Sequence, residues 1–309
     1  MPIKNLAEMV ERVKSLEPKT IAVALAEDEN TLSAIDEAVH SGIAKAIMFG
    51  NREKIVSCCH KLNIDEQKFE IIHHENPELS VKNAVRAVKD HQADALMKGL
   101  VNTDLFLKAV LDRENGLLPQ KTVMSYVCAI EIPAYHKLLF IADTAVIPQP
   151  NLEQKIAMLK YAVQMANKFG IDIPHVALLG AAEKVTTSMS STETDAIICQ
   201  MVARKQLPAC IIDGPLDLFL ACDPQASVIK GIKSSINGDA DILLCPSLES
   251  ANIFYKSLML FAGGELAGLI QGTTKPVIVM SRNESKKSKF YCLALSCLMA
   301  ENERRNYEN

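Results

Sequence analysis

Short, continuous apolar runs alternate with helical patterns along nearly the whole chain. Residues 20–26 have the composition of a buried strand, residues 31–40 follow with a helical pattern, and residues 44–49 form a second apolar run. Strands that are apolar throughout and are separated by about ten to fifteen helical residues are typical of βαβ units in a parallel sheet. The alternation therefore predicts an α/β fold with mainly parallel sheets.

The alternation changes its rhythm once, near the middle of the chain. Two strand-like runs, residues 123–130 and 138–142, follow each other with less helix between them, and a long helical pattern then covers residues 152–169. A chain of 309 residues also exceeds one typical hydrophobic core. We therefore expect two domains, with a crossing between them near this change.

The composition argues against several classes of protein. The net charge of −4 excludes a general nucleic-acid binder, which would carry a basic face, and requires any phosphate site to be locally cationic. The nine cysteines are irregularly spaced, which indicates a reduced, cytoplasmic protein. The longest strongly apolar run, residues 290–300, is too short to span a bilayer, and the first residues lack the apolar core of a signal peptide. We expect neither a nucleic-acid partner nor a membrane.

The residues that follow each apolar run are the candidate site, because ligands of open α/β sheets bind beyond the carboxyl ends of the strands. Lys98 ends one run, and Asn102 and Thr103 begin the helical pattern after it. Either of these residues can cap the helix, and a helix start binds phosphate through its amide donors, with Lys98 adding a full charge. The competing explanation is an ordinary capped helix beside a solvated lysine.

Two further strand ends carry neighbouring polar or charged residues. Ser281 and Arg282 follow an apolar run, and arginine binds phosphate through two parallel hydrogen bonds, although such pairs at strand ends are usually structural. Glu183 and Lys184 follow another run. An adjacent pair of opposite charge on a loop is usually solvated and contributes little.

A fourth strand end carries Ser247, Glu249 and Asn252, which would surround the start of a helix. The competing explanation is a helix cap at Ser247, although Glu249 lies one position short of a capping box. Asp213 and Asp217 are close enough in sequence to share one turn and bind a metal ion. A solvated or capping pair is the simpler interpretation of those two aspartates.

The order of these segments resembles the phosphate acyltransferases, the family of phosphate acetyltransferase and phosphate butyryltransferase. The segments span about residues 96–296 and read, in order, MKGLVNTDLFLKAVL, DTAVIPQPNLEQK, VALLGAAEKV, IIDGPLDL, GDADILLCPSLESANIFYK and KPVIVMSR. The Met-Lys-Gly and Glu-Lys-Val forms are more similar to the butyryltransferase branch than to the acetyltransferase branch.

The resemblance implies a fold and an assembly. Members of the family have two three-layer α/β domains with an active-site cleft between them, in the fold of isocitrate and isopropylmalate dehydrogenases. By that pattern, residues 1–118 and 270–309 form a discontinuous first domain, and residues 119–269 form the second. Members are usually homodimers or larger homo-oligomers.

The resemblance also implies an activity, in which acyl-CoA and phosphate give acyl phosphate and CoA in a ternary complex. Coenzyme A is then a substrate, and neither a metal nor a permanently bound cofactor takes part. Ser281 and Arg282 match the catalytic pair of the family, Lys108 matches a cationic position, and Asn102 and Thr103 match a polar loop. Together with the motifs above, the predicted site has catalytic Ser281 and Arg282, phosphate-binding Lys98, Asn102, Thr103 and Lys108, and substrate- or CoA-binding Glu183, Lys184, Ser247, Glu249 and Asn252.

The sequence departs from the family pattern at two positions. Ser288 stands where the acetyl branch has an aspartate proposed to deprotonate the CoA thiol, and Glu284 is the nearest acid. Ala251 replaces a glycine of the family. Three alternatives to a butyryltransferase therefore stay open: a phosphate acetyltransferase, a non-catalytic CoA-binding relative, and an NAD-dependent β-decarboxylating dehydrogenase, for which Asp213 and Asp217 are the only metal candidates.

Overall fold

A computed structural model of the protein describes residues 2–281 and 284–301. The strands are β1 (Lys19–Ala24), β2 (Ala44–Gly50), β3 (Glu70–His73), β4 (Ala95–Lys98), β5 (Ser125–Glu131), β6 (Leu139–Ala142), β7 (His175–Leu179), β8 (Ile211–Leu216), β9 (Ile242–Leu244), β10 (Glu265–Gln271) and β11 (Val277–Ile278). The helices are α1 (Leu6–Lys14), α2 (Glu29–His40), α3 (Arg52–Lys61), α4 (Pro77–Lys89), α5 (Thr103–Val110), α6 (Leu152–Lys168), α7 (Ser190–Ala203), α8 (Leu218–Cys222), α9 (Ala226–Lys230), α10 (Leu248–Phe261) and α11 (Lys286–Ala300).

The chain divides into two compact units. The flanking unit comprises Leu6–Thr122 and the chain from Leu266 onward, and the middle unit comprises Val123–Glu265 together with the residues up to Asn5. In the flanking unit the strand order is β3-β2-β1-β4-β11-β10, with β10 antiparallel to β11 and the other pairs parallel. The carboxyl ends of β1, β2, β3, β4 and β11 therefore share one edge.

The middle unit has the strand order β5-β6-β9-β7-β8. Strands β6, β9, β7 and β8 are parallel to one another, and β5 runs antiparallel to β6. The α/β prediction with mainly parallel strands is confirmed. The two short helices α8 and α9 were not predicted, because five residues are too few to show a helical period.

Helix α11 is buried nearly all round in the flanking unit, as expected for a helix without a polar face. Ser288 Oγ accepts a hydrogen bond from the backbone N–H of Leu266 at 3.1 Å, and Cys292 Sγ accepts one from Gly268 at 3.1 Å. Two side chains thus join α11 to strand β10.

Within the described residues, no helix is long and apolar enough to cross a membrane.

Gly99 lies where the chain leaves β4 and turns towards α5. Its N–H donates to the carbonyl of Ala24 at 2.9 Å, and the N–H of Leu100 donates to the carbonyl of Leu25 at 2.7 Å. A Cβ atom on Gly99 would lie 2.2 Å from the carbonyl oxygen of Leu25. Only glycine therefore allows the loops after β1 and β4 to approach this closely.

We expect Gly99→Ala to lower the free energy of unfolding by about 3 kcal/mol or more, because the clash is with backbone rather than with a movable side chain. Urea denaturation measures the change. Gly42→Ala is the matched control, since Gly42 has a φ of +75° and open space around its Cβ position. That control should cost only about 1 kcal/mol, from left-handed backbone strain. Equal losses in the two variants would contradict the steric explanation.

Candidate active site

The carboxyl ends of β6, β9, β7 and β8 lie along one edge of the middle unit, because these strands are parallel and adjacent. Asp143 follows β6, Ser247 follows β9, Glu183 lies in the loop after β7, and Asp217 follows β8. This edge therefore gathers polar side chains that are far apart in sequence, as the strand-end argument predicts.

Helix α10 begins at this edge. Ser247 is its N-cap and accepts a hydrogen bond from the N–H of Ser250 at 3.3 Å. Asn252 donates from Nδ2 to the carbonyl of Thr144 at 2.9 Å and thereby joins the first turn of α10 to the loop after β6. Glu249 is exposed in the same turn. Ser247 and Asn252 thus have structural contacts, whereas the Glu249 side chain faces solvent.

Asp143 holds the loop after β6 in place, a role that no motif in the sequence predicts. One carboxylate oxygen accepts from the N–H groups of Ala145 and Val146 at 2.7 and 2.8 Å. The other accepts from the Ser125 hydroxyl at 2.9 Å and from the N–H of Tyr126 at 3.1 Å. The side chain is almost inaccessible; burial raises the pKa of Asp143, and these four donors act in the opposite direction.

Glu183 forms an ion pair, but its partner is not the adjacent Lys184. Lys230, the last residue of α9, donates from Nζ to Glu183 Oε1 at 2.6 Å and to Asp217 Oδ2 at 2.5 Å. Lys184 is exposed on the loop after β7. The interpretation of Glu183 and Lys184 as a mutual solvated pair is therefore replaced by a bridge to α9.

The two aspartates considered as metal ligands bind protein donors instead. Asp217 caps α8 by accepting from the N–H of Leu220 at 2.8 Å, and Asp213 accepts from the N–H groups of Gly214 and Ser235 at 2.9 and 3.3 Å. In the part of the chain that the structure describes, no group of three His, Cys, Asp or Glu side chains is arranged to hold a metal ion.

The edge of the flanking unit brings Lys98 and Ser281 to the ends of neighbouring strands. Ile278 of β11 pairs with Met97 of β4, which is parallel to it. Lys98 is the last residue of β4, and Ser281 lies three positions beyond the end of β11. Lys98 is half-buried, and Ser281 is exposed. The predicted catalytic residue Arg282 lies outside the described residues.

Helix α5 begins close to Lys98. Asn102 is its N-cap and accepts from the N–H of Asp104 at 2.8 Å, and Thr103 is the first helical residue. Lys108 lies in the last turn, about 7.5 Å from Thr103 along the axis at 1.5 Å per residue. Asn102, Thr103 and Lys108 are all exposed. The helix cap is therefore present, and Lys108 also suits the negative end of the helix dipole.

Ser288 cannot replace the aspartate of the acetyl branch. It is fully buried, and its N–H donates to the hydroxyl of Ser285, the N-cap of α11, at 2.9 Å. Its own hydroxyl accepts from Leu266, as described above. The position therefore anchors the start of α11 and is closed to a substrate thiol.

The nine cysteines are all free thiols. Burial raises the pKa of Cys58 and, more strongly, that of six others: Cys59, Cys210 and Cys222 to about 11, and Cys199, Cys245 and Cys297 to about 12. A nucleophilic cysteine needs a lowered pKa, so none of these seven has the electrostatic setting of a catalytic thiol.

We expect Asp143→Asn to lower the free energy of unfolding by about 2–3 kcal/mol. The substitution replaces one carboxylate oxygen with an NH₂ group, so the two N–H or O–H groups that donate to that oxygen lose their acceptor. Urea denaturation of the purified protein measures the change. Asp172→Asn, at an exposed position, is the control and should stay within about 0.5 kcal/mol of the wild type. A variant at Asp143 as stable as this control would show that the four hydrogen bonds contribute nothing net.

Comparison with known proteins gives a consistent result. A family model described as "Phosphate acetyl/butaryl transferase" matches residues 5–83 and 77–297. A phosphate butyryltransferase of Clostridium beijerinckii is 40% identical over 297 residues, which are 96% of this chain and 98% of that protein. A phosphate acetyltransferase of Thermotoga maritima is 37% identical over 295 residues, covering 96% of this chain and 99% of that protein.

A solved structure is also similar over most of the chain. The crystal structure of a branched-chain phosphotransacylase from Enterococcus faecalis superimposes with a TM-score of 0.81 at 29% identity, covering 91% of this chain and 99% of that chain. The resemblance inferred from the order of the motifs is confirmed by these matches. The chain belongs to the phosphate acetyl/butyryl transferase family.

Proposed function

We propose that the protein is a phosphate acyltransferase that exchanges phosphate and coenzyme A on a short-chain acyl group, with butyryl as the first candidate. The observation that carries this proposal is the 40% identity to a phosphate butyryltransferase over 96% of the chain. The acetyl group stays a candidate, because a phosphate acetyltransferase is 37% identical over the same extent. Each methylene of the acyl chain contributes only about 0.8 kcal/mol on burial, so we expect modest discrimination between chain lengths.

The flanking unit supplies the phosphate-binding groups in this proposal. Asn102 caps α5 and Thr103 begins it, and a helix start attracts an anion through its amide donors. Lys98 at the end of β4 adds a positive charge. Lys108, which would have to reach back from the last turn of the same helix, and Arg282 are the other cations of the proposed set. This local concentration of positive charge is what an acidic protein needs in order to bind phosphate.

The reaction transfers the acyl group directly between the two bound substrates. A phosphate oxygen attacks the thioester carbonyl carbon, the carbon–sulfur bond breaks, and coenzyme A leaves as a thiolate that takes up a proton. In the reverse direction the thiolate attacks the acyl phosphate. Ser281 donates a hydrogen bond to the reacting group, and Arg282 holds the phosphate. Stabilisation of the developing charge and positioning of the substrates supply most of the rate.

The exchange does not require the aspartate that Ser288 replaces. A free thiol has a pKa near 8.5, so deprotonation at pH 7 costs about 2 kcal/mol, at 1.36 kcal/mol per pKa unit. Nearby lysine and arginine side chains lower a thiol pKa further. Because Ser288 is buried in a structural contact, thiol activation in this proposal depends on those cations rather than on a base at that position.

The middle unit supplies the groups that bind the rest of the substrate or coenzyme A. Lys184 and Glu249 are exposed at its carboxyl edge. Lys184 can pair with the phosphate groups of coenzyme A, and Glu249 can accept hydrogen bonds from its uncharged amide and hydroxyl groups. Ser247 and Asn252 shape the same edge, since one caps α10 and the other holds the loop after β6. Glu183 contributes through its bridge to α9.

We also propose that the protein is a homo-oligomer, as a dimer or larger. Ile253, Leu260 and Phe261 on α10 are 68%, 75% and 82% exposed, and contiguous exposed apolar side chains usually mark an interface.

The cytoplasm is the proposed compartment, because nine free cysteines suit a reducing environment.

The first test is a thiol-release assay with phosphate and a series of acetyl-, propionyl-, butyryl- and branched acyl-CoA substrates. We expect phosphate-dependent release of free coenzyme A with each, and the highest kcat/KM with the four- or five-carbon acyl groups. Omission of phosphate is the control for simple hydrolysis. Calorimetric binding of coenzyme A without turnover of any substrate would instead identify a non-catalytic relative.

The second test addresses the proposed phosphate ligand. Arg282→Ala should lower kcat/KM for phosphate by about 100-fold or more, because a charged donor to the transition state is removed. Arg282→Lys should recover part of the loss, since it retains the charge without the two parallel hydrogen bonds. Arg86→Ala is the control, because it removes an exposed arginine of α4 that pairs with Asp90 at the end of that helix. It should leave kcat/KM unchanged. Wild-type kcat/KM in Arg282→Ala would refute the assignment.

A further inference from the structure

Three charged side chains from separate segments meet at the carboxyl edge of the middle unit. Lys230 Nζ lies 2.6 Å from Glu183 Oε1 and 2.5 Å from Asp217 Oδ2. Glu183 belongs to the loop after β7, Asp217 directly follows β8, and Lys230 ends α9. The lysine side chain is 34% exposed and the two carboxylates are 23% and 22% exposed, so water screens the bridge only in part.

The bridge favours the charged forms of Lys230 and Asp217. Hydrogen bonds to Asp217 and Glu183 raise the pKa of Lys230. Burial opposes ionisation of Asp217, but the N–H of Leu220 and Lys230 together lower its pKa. One ammonium group thus contacts two carboxylates, and without Lys230 this point of the edge would lose the positive charge that offsets them.

The bridge lies beside the groups assigned to substrate binding. Strand β7 pairs with β8 on one side and with β9 on the other, and β9 leads directly to Ser247 and α10. The substrates of a phosphate acyltransferase are anions, whether phosphate, acyl phosphate or the phosphate groups of coenzyme A. Two unpaired carboxylates on this edge would repel them over about 8 Å, the screening length at physiological ionic strength.

We propose that Lys230 is a positioning residue for substrate binding, which holds the loop of residues 180–188 to α9 and cancels the charge that would otherwise repel anionic substrates. This inference rests on the proposed phosphate acyltransferase activity. The role acts on binding, so it changes KM for the anions and leaves the chemical step alone. A purely structural role is a poor explanation, because partly exposed ion pairs contribute little to stability.

The test is the steady-state kinetics of Lys230→Met in the direction from acyl phosphate and coenzyme A. We expect KM for both anions to rise by about fivefold, with kcat within about twofold of the wild type. The rise should shrink as salt is added, because screening removes the repulsion. Lys230→Arg keeps the charge and should restore the wild-type KM.

A second substitution separates repulsion from loss of structure. Asp217→Asn retains an oxygen that caps α8 at Leu220 but removes one negative charge. Added to Lys230→Met, it should recover at least about half of the lost affinity, since less repulsion remains. As a single substitution, Asp217→Asn should leave KM for the anions unchanged or lower than that of the wild type. These results do not depend on Lys230→Met being as stable as the wild type.

The middle unit offers a matched control at its opposite edge. Lys137 precedes β6 and bridges Asp239 and Asp241, with Nζ 2.9 Å from an oxygen of each. Lys137→Met therefore makes the same change in charge and also breaks a two-carboxylate bridge, but at the amino ends of the strands, where Asp239 keeps a contact with His136 at 2.8 Å. We expect its KM values to stay within about twofold of the wild type.

The outcomes distinguish the inference from the proposed function. A wild-type protein without phosphate-dependent turnover would overturn the proposed function itself. An active wild type with unchanged KM in Lys230→Met would overturn only the role of Lys230. The role is also refuted if Lys137→Met has the same effect as Lys230→Met, or if Asp217→Asn recovers none of the lost affinity.

Discussion

Hydrogen bonding between parallel strands is the constraint on which the arrangement of functional groups depends. Because β6, β9, β7 and β8 run in one direction, the loops that follow them all begin at one edge of the middle unit. The same holds for β1, β4 and β11 in the flanking unit. Asp143 then holds the loop after β6 through four donors, and Asn252 joins that loop to α10. The edge is thus a connected structure rather than a set of separate loops, which is what a preformed binding site requires.

An acidic protein that binds several phosphate groups has to control its own negative charge. The net charge is −4, so attraction of an anion depends on where individual charges lie. In the phosphate site proposed for the flanking unit, the capped start of α5 and Lys98 supply the positive potential. In the middle unit two carboxylates share Lys230. In the proposed function the two edges therefore address one problem by different means, one by presenting positive charge and the other by masking negative charge.

The sequence predicts those features that depend on local composition. The strands are recognisable because they are apolar throughout, and Asn102 and Ser247 are recognisable as caps because caps act within three residues. Features that depend on distant partners escape such reasoning. Glu183 and Lys230 are 47 positions apart, and Asp143 lies 18 positions from Ser125, so neither contact follows from spacing. The predicted catalytic residue Arg282 lies outside the described residues and stays a prediction.

The raised pKa values of the cysteines have a consequence for an enzyme whose substrates are thiols and thioesters. At a pKa of about 11, roughly one cysteine in ten thousand is ionised at pH 7, since the ratio changes tenfold per unit. An ionised protein thiol near an acyl-CoA would capture the acyl group by transthioesterification, or form a mixed disulfide with coenzyme A. Burial keeps these seven side chains protonated, so they do not compete with the thiol that arrives with the substrate.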